Sequence, residues 1–440
     1  ILLFPIFGGL FYLLCGGHKL SKRSRMKMHQ IDEQMKTFLA QDEAILQAMA
    51  ADDKSAANQA RYILNSSHCP IYQNTTSVYL PTGEIMFERL IEELKNAKRY
   101  IFLEYFIIDK GIMWDTILDI LVEKVKQGVD VRLIYDDVGC IFNLPHDYDK
   151  QLRKMGIKCC VFNPFKPVLS LHLNHRDHRK MAIIDGVIAF TGGINLADEY
   201  NNAYERFGYW KDSAIMIKGE AVWTFTVMFL TLWNYIEKSE EDYNQFRPEV
   251  TSCLPQESAG YVQPFGDSPL DDEPVGETVY LNLISKAKDY IYITTPYLIL
   301  DNKMTNALIT AAKQNIDVRI ATPHIPDKWY VHCVTRANYD LLVENGVKIY
   351  EYTPGFLHAK SFIVDDKYAV VGSINLDYRR LYLHFECGVW LYKTDSVLQI
   401  KKDFMNILEQ CQQITLEDCR SVEWYRRLGR LMLSVFAPLL

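Results

Sequence analysis

His178-Arg179-Lys180-Met181-Ala182-Ile183-Ile184-Asp185 and His358-Ala359-Lys360-Ser361-Phe362-Ile363-Val364-Asp365 share one skeleton: His-x-Lys, four residues, then Asp. Each is followed at the same interval by Gly192-Gly193-Ile194-Asn195 or Gly372-Ser373-Ile374-Asn375, and the two copies stand 180 positions apart. Two lone histidines arise easily by chance. His, Lys, Asp, Gly and Asn repeating in register, with aliphatic residues between them, mark a duplicated active-site half.

Along a strand, side chains alternate between faces, so His and Lys two positions apart point the same way while the residue between them points into the packing. Such a pair suits attack on a phosphodiester. One imidazole attacks phosphorus, and the imidazole of the other copy protonates the departing alkoxide. Lys180, Lys360, Asn195 and Asn375 would surround the phosphoryl oxygens, where negative charge has to be held through the transition state. These cationic side chains make a metal or other cofactor unnecessary. The competing reading, two buried strand-turn-strand units with satisfied histidines, does not explain why the copies agree at every chemistry-bearing position.

His-x-Lys-x4-Asp followed by Gly-Gly/Ser-x-Asn, twice in one chain, resembles the phospholipase D superfamily. Further runs look like its bacterial cardiolipin synthase family: Asn174 to Lys180, Glu104-Tyr105-Phe106-Ile107, Thr322 to Tyr330, and Tyr352 to Lys360. The resemblance covers nearly the whole chain. It implies that two phosphatidylglycerol molecules are joined into cardiolipin with release of glycerol. It also assigns the nucleophile to His178 and acid/base duty to His358, since the N-terminal copy usually supplies the phosphohistidine. A carboxylate normally orients each such imidazole; by strand position after each motif the candidates are Asp212 and Glu386. Asp185 and Asp365 belong to the motifs and are carried with the catalytic set, although their place at the strand ends suits holding the neighbouring turn. His172, His175 and His178, three apart, lack nearby Cys or Glu ligands and a counterpart in the second copy, so they do not read as a metal site.

The order of elements repeats as well. An amphipathic helix around Ile85 to Lys95, a strand from Tyr100 to Ile108, a helix from Met113 to Gln127 and a strand from Val129 to Tyr135 open the first half. Ala287-Lys288-Asp289-Tyr290-Ile291 answers Ala97-Lys98-Arg99-Tyr100-Ile101, and Asp317-Val318-Arg319 answers Asp130-Val131-Arg132. The expected fold is therefore an α/β duplicated phospholipase D-type fold with largely parallel strands. It has two pseudo-equivalent sheet/helix halves, residues 67–250 and 277–415, with the active site at their interface. The stretch 251–276, rich in Pro, Gly, Asp and Glu, reads as the linker. The apolar run 221–236 is short for a membrane span and is expected as a buried helix behind the first motif.

The ends point to a bilayer. Residues 1–17 are apolar and read as the remainder of a transmembrane helix. Lys19, Lys22, Arg23, Arg25 and Lys27 follow it, which places the catalytic body on the cytoplasmic side of a bacterial cell membrane. Residues 18–66 form a basic juxtamembrane stretch and a helical connector. In 416–440, Trp424, Leu428, Leu431, Met432, Val435 and Leu439 recur at helical spacing, with arginines largely off the stripe: a basic amphipathic helix suited to anionic lipid. The net charge of −7 argues against a nucleic-acid partner. Ten cysteines without C-x-x-C spacing read as free thiols. A hydrolase using water, a transferase using another acceptor and an inactive membrane scaffold remain alternatives, and a homo-oligomer is left open.

Overall fold

The computed structural model describes residues 35–164, 176–248, 258–268, 273–377, 384–422 and Leu433. Seven strands build the first sheet: β1 (Thr75–Leu80), β2 (Tyr100–Tyr105), β3 (Asp130–Asp136), β4 (Lys158–Phe162), β5 (Lys180–Ile184), β6 (Ile188–Gly192) and β7 (Ala214–Gly219), in the order β1-β7-β6-β5-β2-β3-β4. The second sheet repeats that order with β8 (Tyr261–Asp267), β9 (Tyr290–Thr294), β10 (Asp317–Pro323), β11 (Lys348–Tyr352), β12 (Ser361–Val364), β13 (Tyr368–Gly372) and β14 (His384–Tyr392). It adds β15 (Cys411–Ile414) beyond β11. Every strand from β8 to β14 is the counterpart of the strand numbered seven lower.

Each sheet is mixed, and this corrects the expectation of largely parallel strands. Within the order just given, β2-β3-β4 and β9-β10-β11 run parallel, joined by helical crossovers. The remaining neighbours are antiparallel, because the motif strand turns back on itself within a few residues. Asp185 and Gly186, then Asp365 and Asp366, make those turns in the left-handed backbone region.

Both faces of the first sheet are covered at its centre, so the central strands are mostly apolar rather than alternating. Ile101, Leu103, Leu133 and Ile184 pack outward with Leu90, Trp114, Ile117 and Leu121, residues of the helices Gly83–Asn96 and Ile112–Lys126. Phe102, Ile183, Ala189 and Ile217 pack inward, in one cluster with the second sheet and with the helix Val222–Glu237. That helix is buried from Val222 to Asn234, as expected for the 221–236 run, and it reaches β8 of the other half. Its counterpart Asp395–Leu408 reaches β1. Each half thus closes its core against the other's edge strand.

One boundary differs from expectation. The stretch 251–276 is not simply a linker: it contains β8, an edge strand paired antiparallel with β14. Pro264 and Gly266 disguise it in the sequence, yet Pro is tolerated where a strand has only one neighbour. The connector is helical as expected, and it is also docked on the body. Its helices Glu43–Asp52 and Lys54–Ser67 bury Leu46, Met49, Ala56, Ala60 and Ile63 in the core. Tyr392 Oη donates to Asp52 and Tyr368 Oη to Asp53, both at 2.8 Å, which ties these helices to the second half. Residues 1–17 and the basic stretch to Lys27 lie outside the described residues, as does most of 416–440. Among the described residues no helix is long and apolar enough to cross a membrane.

Candidate active site

The two histidines are positioned by strand exchange between the halves. Arg176–Asp177, just before the first motif, pairs parallel with the start of β14, and His178 N donates to Phe385 O at 2.9 Å. In mirror fashion Gly355–Leu357, before the second motif, pairs parallel with Tyr209–Lys211, and His358 N donates to Lys211 O at 2.7 Å. Each histidine is therefore hydrogen-bonded through its backbone to the residue that precedes a carboxylate of the opposite half.

The carboxylates follow from this geometry, and they are crossed. Glu386 places Oε1 at 2.9 Å and Oε2 at 3.0 Å from His178 Nδ1. Asp212 Oδ2 lies 2.6 Å from His358 Nδ1. Sequence reading named both carboxylates by their position after each motif; the structure attaches each to the histidine of the other motif. A carboxylate at Nδ1 selects the tautomer whose Nε2 carries the lone pair, the form needed for attack on phosphorus or for taking a proton. Gly193 is the motif residue that makes room for this: a Cβ there would meet Asp212 Oδ1 at 2.1 Å. In the second copy Ser373 occupies the place, its Oγ accepting from Cys387 N.

Lys180 and Lys360 are buried, as are both histidines. Lys180 Nζ donates to the His178 carbonyl, and Lys360 Nζ to that of His358, so each ammonium turns back to the histidine two residues before it. Lys360 Nζ is also 2.8 Å from His358 Nδ1, a nitrogen that either donates to Asp212 or accepts from Lys360. Burial would raise the Asp212 carboxyl, but the charge of Lys360 and the interaction with His358 hold it below its usual range. The ionised carboxylate then accepts a hydrogen bond from Nδ1–H. Burial first and Lys360 second push His358 down to about 3, with a further contribution from Lys180 of the other copy. Both lysines thus act on one imidazole, the electrostatic sign that the two motifs converge.

A description of cardiolipin synthase with PLD-like domains matches residues 90–233 and 280–408, the two halves that carry these motifs. The chain belongs to this family. A cardiolipin synthase of Halalkalibacterium halodurans is 34% identical over 444 residues, covering 99% of this chain and 87% of that one. An uncharacterized protein of Streptococcus mutans serotype c is 45% identical over 441 residues, covering 100% and 95%. Among solved structures, phosphatidylserine synthase of Haemophilus influenzae Rd KW20 superposes with a TM-score of 0.62 at 17% identity, over 87% of this chain and 98% of that one, a likeness of fold.

Within this cardiolipin synthase family member the remaining motif residues divide. Asp185 accepts from the backbone N–H groups of Lys98, Arg99 and Tyr100, and Asp365 from those of Lys288, Asp289 and Tyr290, at 2.7–3.0 Å. Each sits seven residues beyond its histidine, roughly 20 Å along an extended strand, so the structure removes both from the reacting centre. They fasten the start of β2 and β9. The asparagines are not equivalent either. Asn195 Oδ1 accepts from Ile107 N at 3.0 Å and its Nδ2 donates to Tyr200 Oη at 2.8 Å. Asn375 is fully buried, with neither amide atom hydrogen-bonded in the described structure. His172 and His175 lie outside the described residues.

Sequence reading missed the walls of the site. Tyr200, Trp210 and Phe356 surround His358 with ring centroids 5.8, 5.2 and 5.8 Å away. Around the first motif, Arg179 Nε approaches Glu104 Oε1 at 2.8 Å and Asp177 Oδ1 at 3.0 Å. Burial pushes the Glu104 carboxyl well above its usual range, and Asp177 adds to the effect. Asp177 and Glu104 together raise Arg179 against the cost of burial, so it stays charged. The signal was present: Glu104 is a charged residue inside an otherwise apolar strand, and Arg179 stands between the motif His and Lys just before another.

Proposed function

We propose that the chain transfers a phosphatidyl group from one phosphatidylglycerol to another, giving cardiolipin and glycerol through a phosphohistidine. The observation that carries this reading is the crossed pair of buried carboxylate–imidazole contacts, each next to a buried lysine. It supplies two oriented imidazoles with opposite duties and two cations for one phosphoryl group.

His178 Nε2 attacks phosphorus and the bond to the glycerol oxygen breaks. His358 gives that oxygen a proton, and the phosphatidyl group remains on His178. The headgroup hydroxyl of a second phosphatidylglycerol then loses its proton to His358 and attacks phosphorus, breaking the P–N bond and restoring both histidines. Lys180, Lys360 and the unsatisfied amide of Asn375 hold the phosphoryl oxygens, while Asn195 keeps the Ile107 backbone in place. His358 has to be protonated for the first step, whereas burial and the lysines hold it neutral. The phosphodiester anion offsets those lysine charges, so proton uptake by His358 accompanies substrate binding.

The aromatic wall around His358 serves a transferase, since it limits water where the acceptor hydroxyl must arrive. The apolar residues 1–17 and the cations after them support attachment to a bacterial cell membrane with the catalytic body on its cytoplasmic side. The test is incubation of the protein with phosphatidylglycerol vesicles alone, without nucleotide or added metal, followed by resolution of the lipids. Cardiolipin with equimolar glycerol is expected. Phosphatidic acid alone would make the chain a hydrolase, and no product would point to another headgroup or to a scaffold.

A further inference from the structure

The four most exposed large apolar side chains among the described residues are Phe142 at 96%, Trp329 at 68%, Ile112 at 64% and Tyr204 at 61%. All four lie on one end of the molecule. Ile112 follows β2, Phe142 follows β3 and Trp329 follows β10, each past the C-terminal end of a parallel strand. Because β5 and β12 run antiparallel to β2 and β9, that end is also where the motif strands begin, with His178 and His358 just before them. Tyr204 lies past the end of β6, which returns to the same side. Its N–H donates to Asp198 O, and the Asp198 carboxylate accepts from Ile112 N and Met113 N, so these two loops are fastened together.

The halves contribute in register. Phe142 stands six residues beyond Asp136, the end of β3, and Trp329 six beyond Pro323, the end of the counterpart β10. Val331 and Val334, of the helix that Trp329 begins, share one buried cluster with Ile108 and Tyr200 of the first half. The loops of both halves thus form one rim around the histidines. Leu433, the described residue of the C-terminal stretch read as interfacial, packs against that same cluster.

Exposed aromatic and aliphatic side chains on separate loops, with Lys110, Arg206 and Lys328 within two residues of Ile112, Tyr204 and Trp329 in sequence, do not form a groove for a peptide or a flat face for a second copy. They match the boundary of a bilayer, where Trp and Tyr rings sit at headgroup depth and aliphatic tips reach below it. A protein bound over this rim would cover the entry to the site. We propose that Phe142 and Trp329, flanked by Ile112 and Tyr204, insert into the membrane surface and seat the paired histidines over the lipid headgroups. This rests on the phosphatidyltransferase reading, and it adds which face of the catalytic body meets the lipid.

Residues 1–17 are expected to anchor the chain by themselves, so vesicle binding is not the readout. Two measurements on the full chain serve instead. In a Trp424→Phe background, which removes the other tryptophan expected at the interface, part of the tryptophan emission should be quenched in vesicles of phosphatidylglycerol and phosphatidylcholine brominated on the acyl chains, and Trp329→Phe should remove most of the quenched part. The double variant Phe142→Ser/Trp329→Ser should turn over vesicle phosphatidylglycerol about tenfold more slowly. It should turn over short-chain phosphatidylglycerol, dispersed as monomers, within about twofold of the parent. Leu398→Ser, exposed but outside the rim, should change neither rate. The proposal is overturned if Trp329 is not quenched, or if the double variant loses both activities equally or keeps both. A parent protein that turns over neither lipid refutes the transferase reading, and the quenching of Trp329 still decides the docking face.

Discussion

His178 and His358 occupy equivalent positions before equivalent strands, yet the surroundings of the two differ in kind. Beside His178 the sequence places Arg176, Asp177 and Arg179, and β2 and β3 add Glu104 and Asp136, so a buried ionic network borders this motif, while the Phe106 ring stands 5.0 Å from the imidazole itself. At the matching positions the second copy has Phe356, Leu357 and Ala359, and Thr294 replaces Glu104 and bonds Ser361 instead. His358 is enclosed by aromatic rings. Duplication preserved the two reacting imidazoles while their walls diverged. An ionic wall fixes the position of a nucleophile, and an apolar one makes a proton carrier sensitive to the charge of whatever enters.

The largest expected effect breaks both sites alike: His178→Ala and His358→Ala should each cut turnover by roughly a thousandfold or more. Only the trapped adduct separates them, since a covalent phosphatidyl group should form with His178 intact and not in its absence. An adduct that survives His178→Ala and disappears in His358→Ala reverses the assignment.

Next come the crossed carboxylates. Asp212→Asn and Glu386→Gln should each lower kcat by about 10²–10⁴-fold through loss of the correct tautomer. Nitrogen resonances of the labelled histidines check the crossing: Asp212→Asn should perturb His358 and leave His178 unmoved, with Glu386→Gln doing the opposite.

Arg179→Met leaves the Asp177 carboxylate buried without its cation and should lower unfolding free energy by about 3–5 kcal/mol, read by chemical denaturation. Ala359→Ser at the matching position should cost about 1 kcal/mol. Equal losses would mean that the ionic wall carries no special weight.

Acidity tests the aromatic wall. His358 is held down to about 3 from an ordinary 6.5, so its neutral form contributes stability that is fully present above 6.5 and is lost as the pH falls toward 3. Asp212, also held low, adds to the same acid-side loss. The unfolding midpoint of His358→Gln should therefore fall less steeply than the parent's across that window. Binding of a glycerophosphate headgroup near pH 7 should take up about one proton in the parent and none in the variant, measured by calorimetry in buffers of different ionisation enthalpy.

The smallest effect is expected where the halves are alike. Asp185→Asn and Asp365→Asn each weaken three backbone contacts and should cost about 1–3 kcal/mol, with turnover changed only a fewfold. A thousandfold loss of turnover in a folded Asp185→Asn protein would return that residue to the chemistry.

The repeat itself was legible because it is written in residue identity: two His-x-Lys pairs, two Asn, and helices and strands in the same order. Strand alternation was enough to put each lysine beside its histidine. The edge strand β8 was hidden by Pro264 and Gly266, which read as a joint until the neighbouring β14 shows that only one side needs pairing. The docked helices before residue 67 were hidden by small residues such as Ala56, Ala57 and Ala60, whose burial depends on a distant surface.

The sequence by itself determined that there are two half-sites, which side chains they carry and what class of bond they act on. Those properties follow from local spacing and from the intrinsic chemistry of imidazole, ammonium and carboxamide. Only the tertiary structure decided which carboxylate serves which histidine, that Asp185 and Asp365 are spent on backbone N–H groups, and that a buried ionic network borders one motif while three aromatic rings enclose the histidine of the other. Those are relations between residues far apart in the chain, and two short parallel strand pairs, each joining one half to the other, set them.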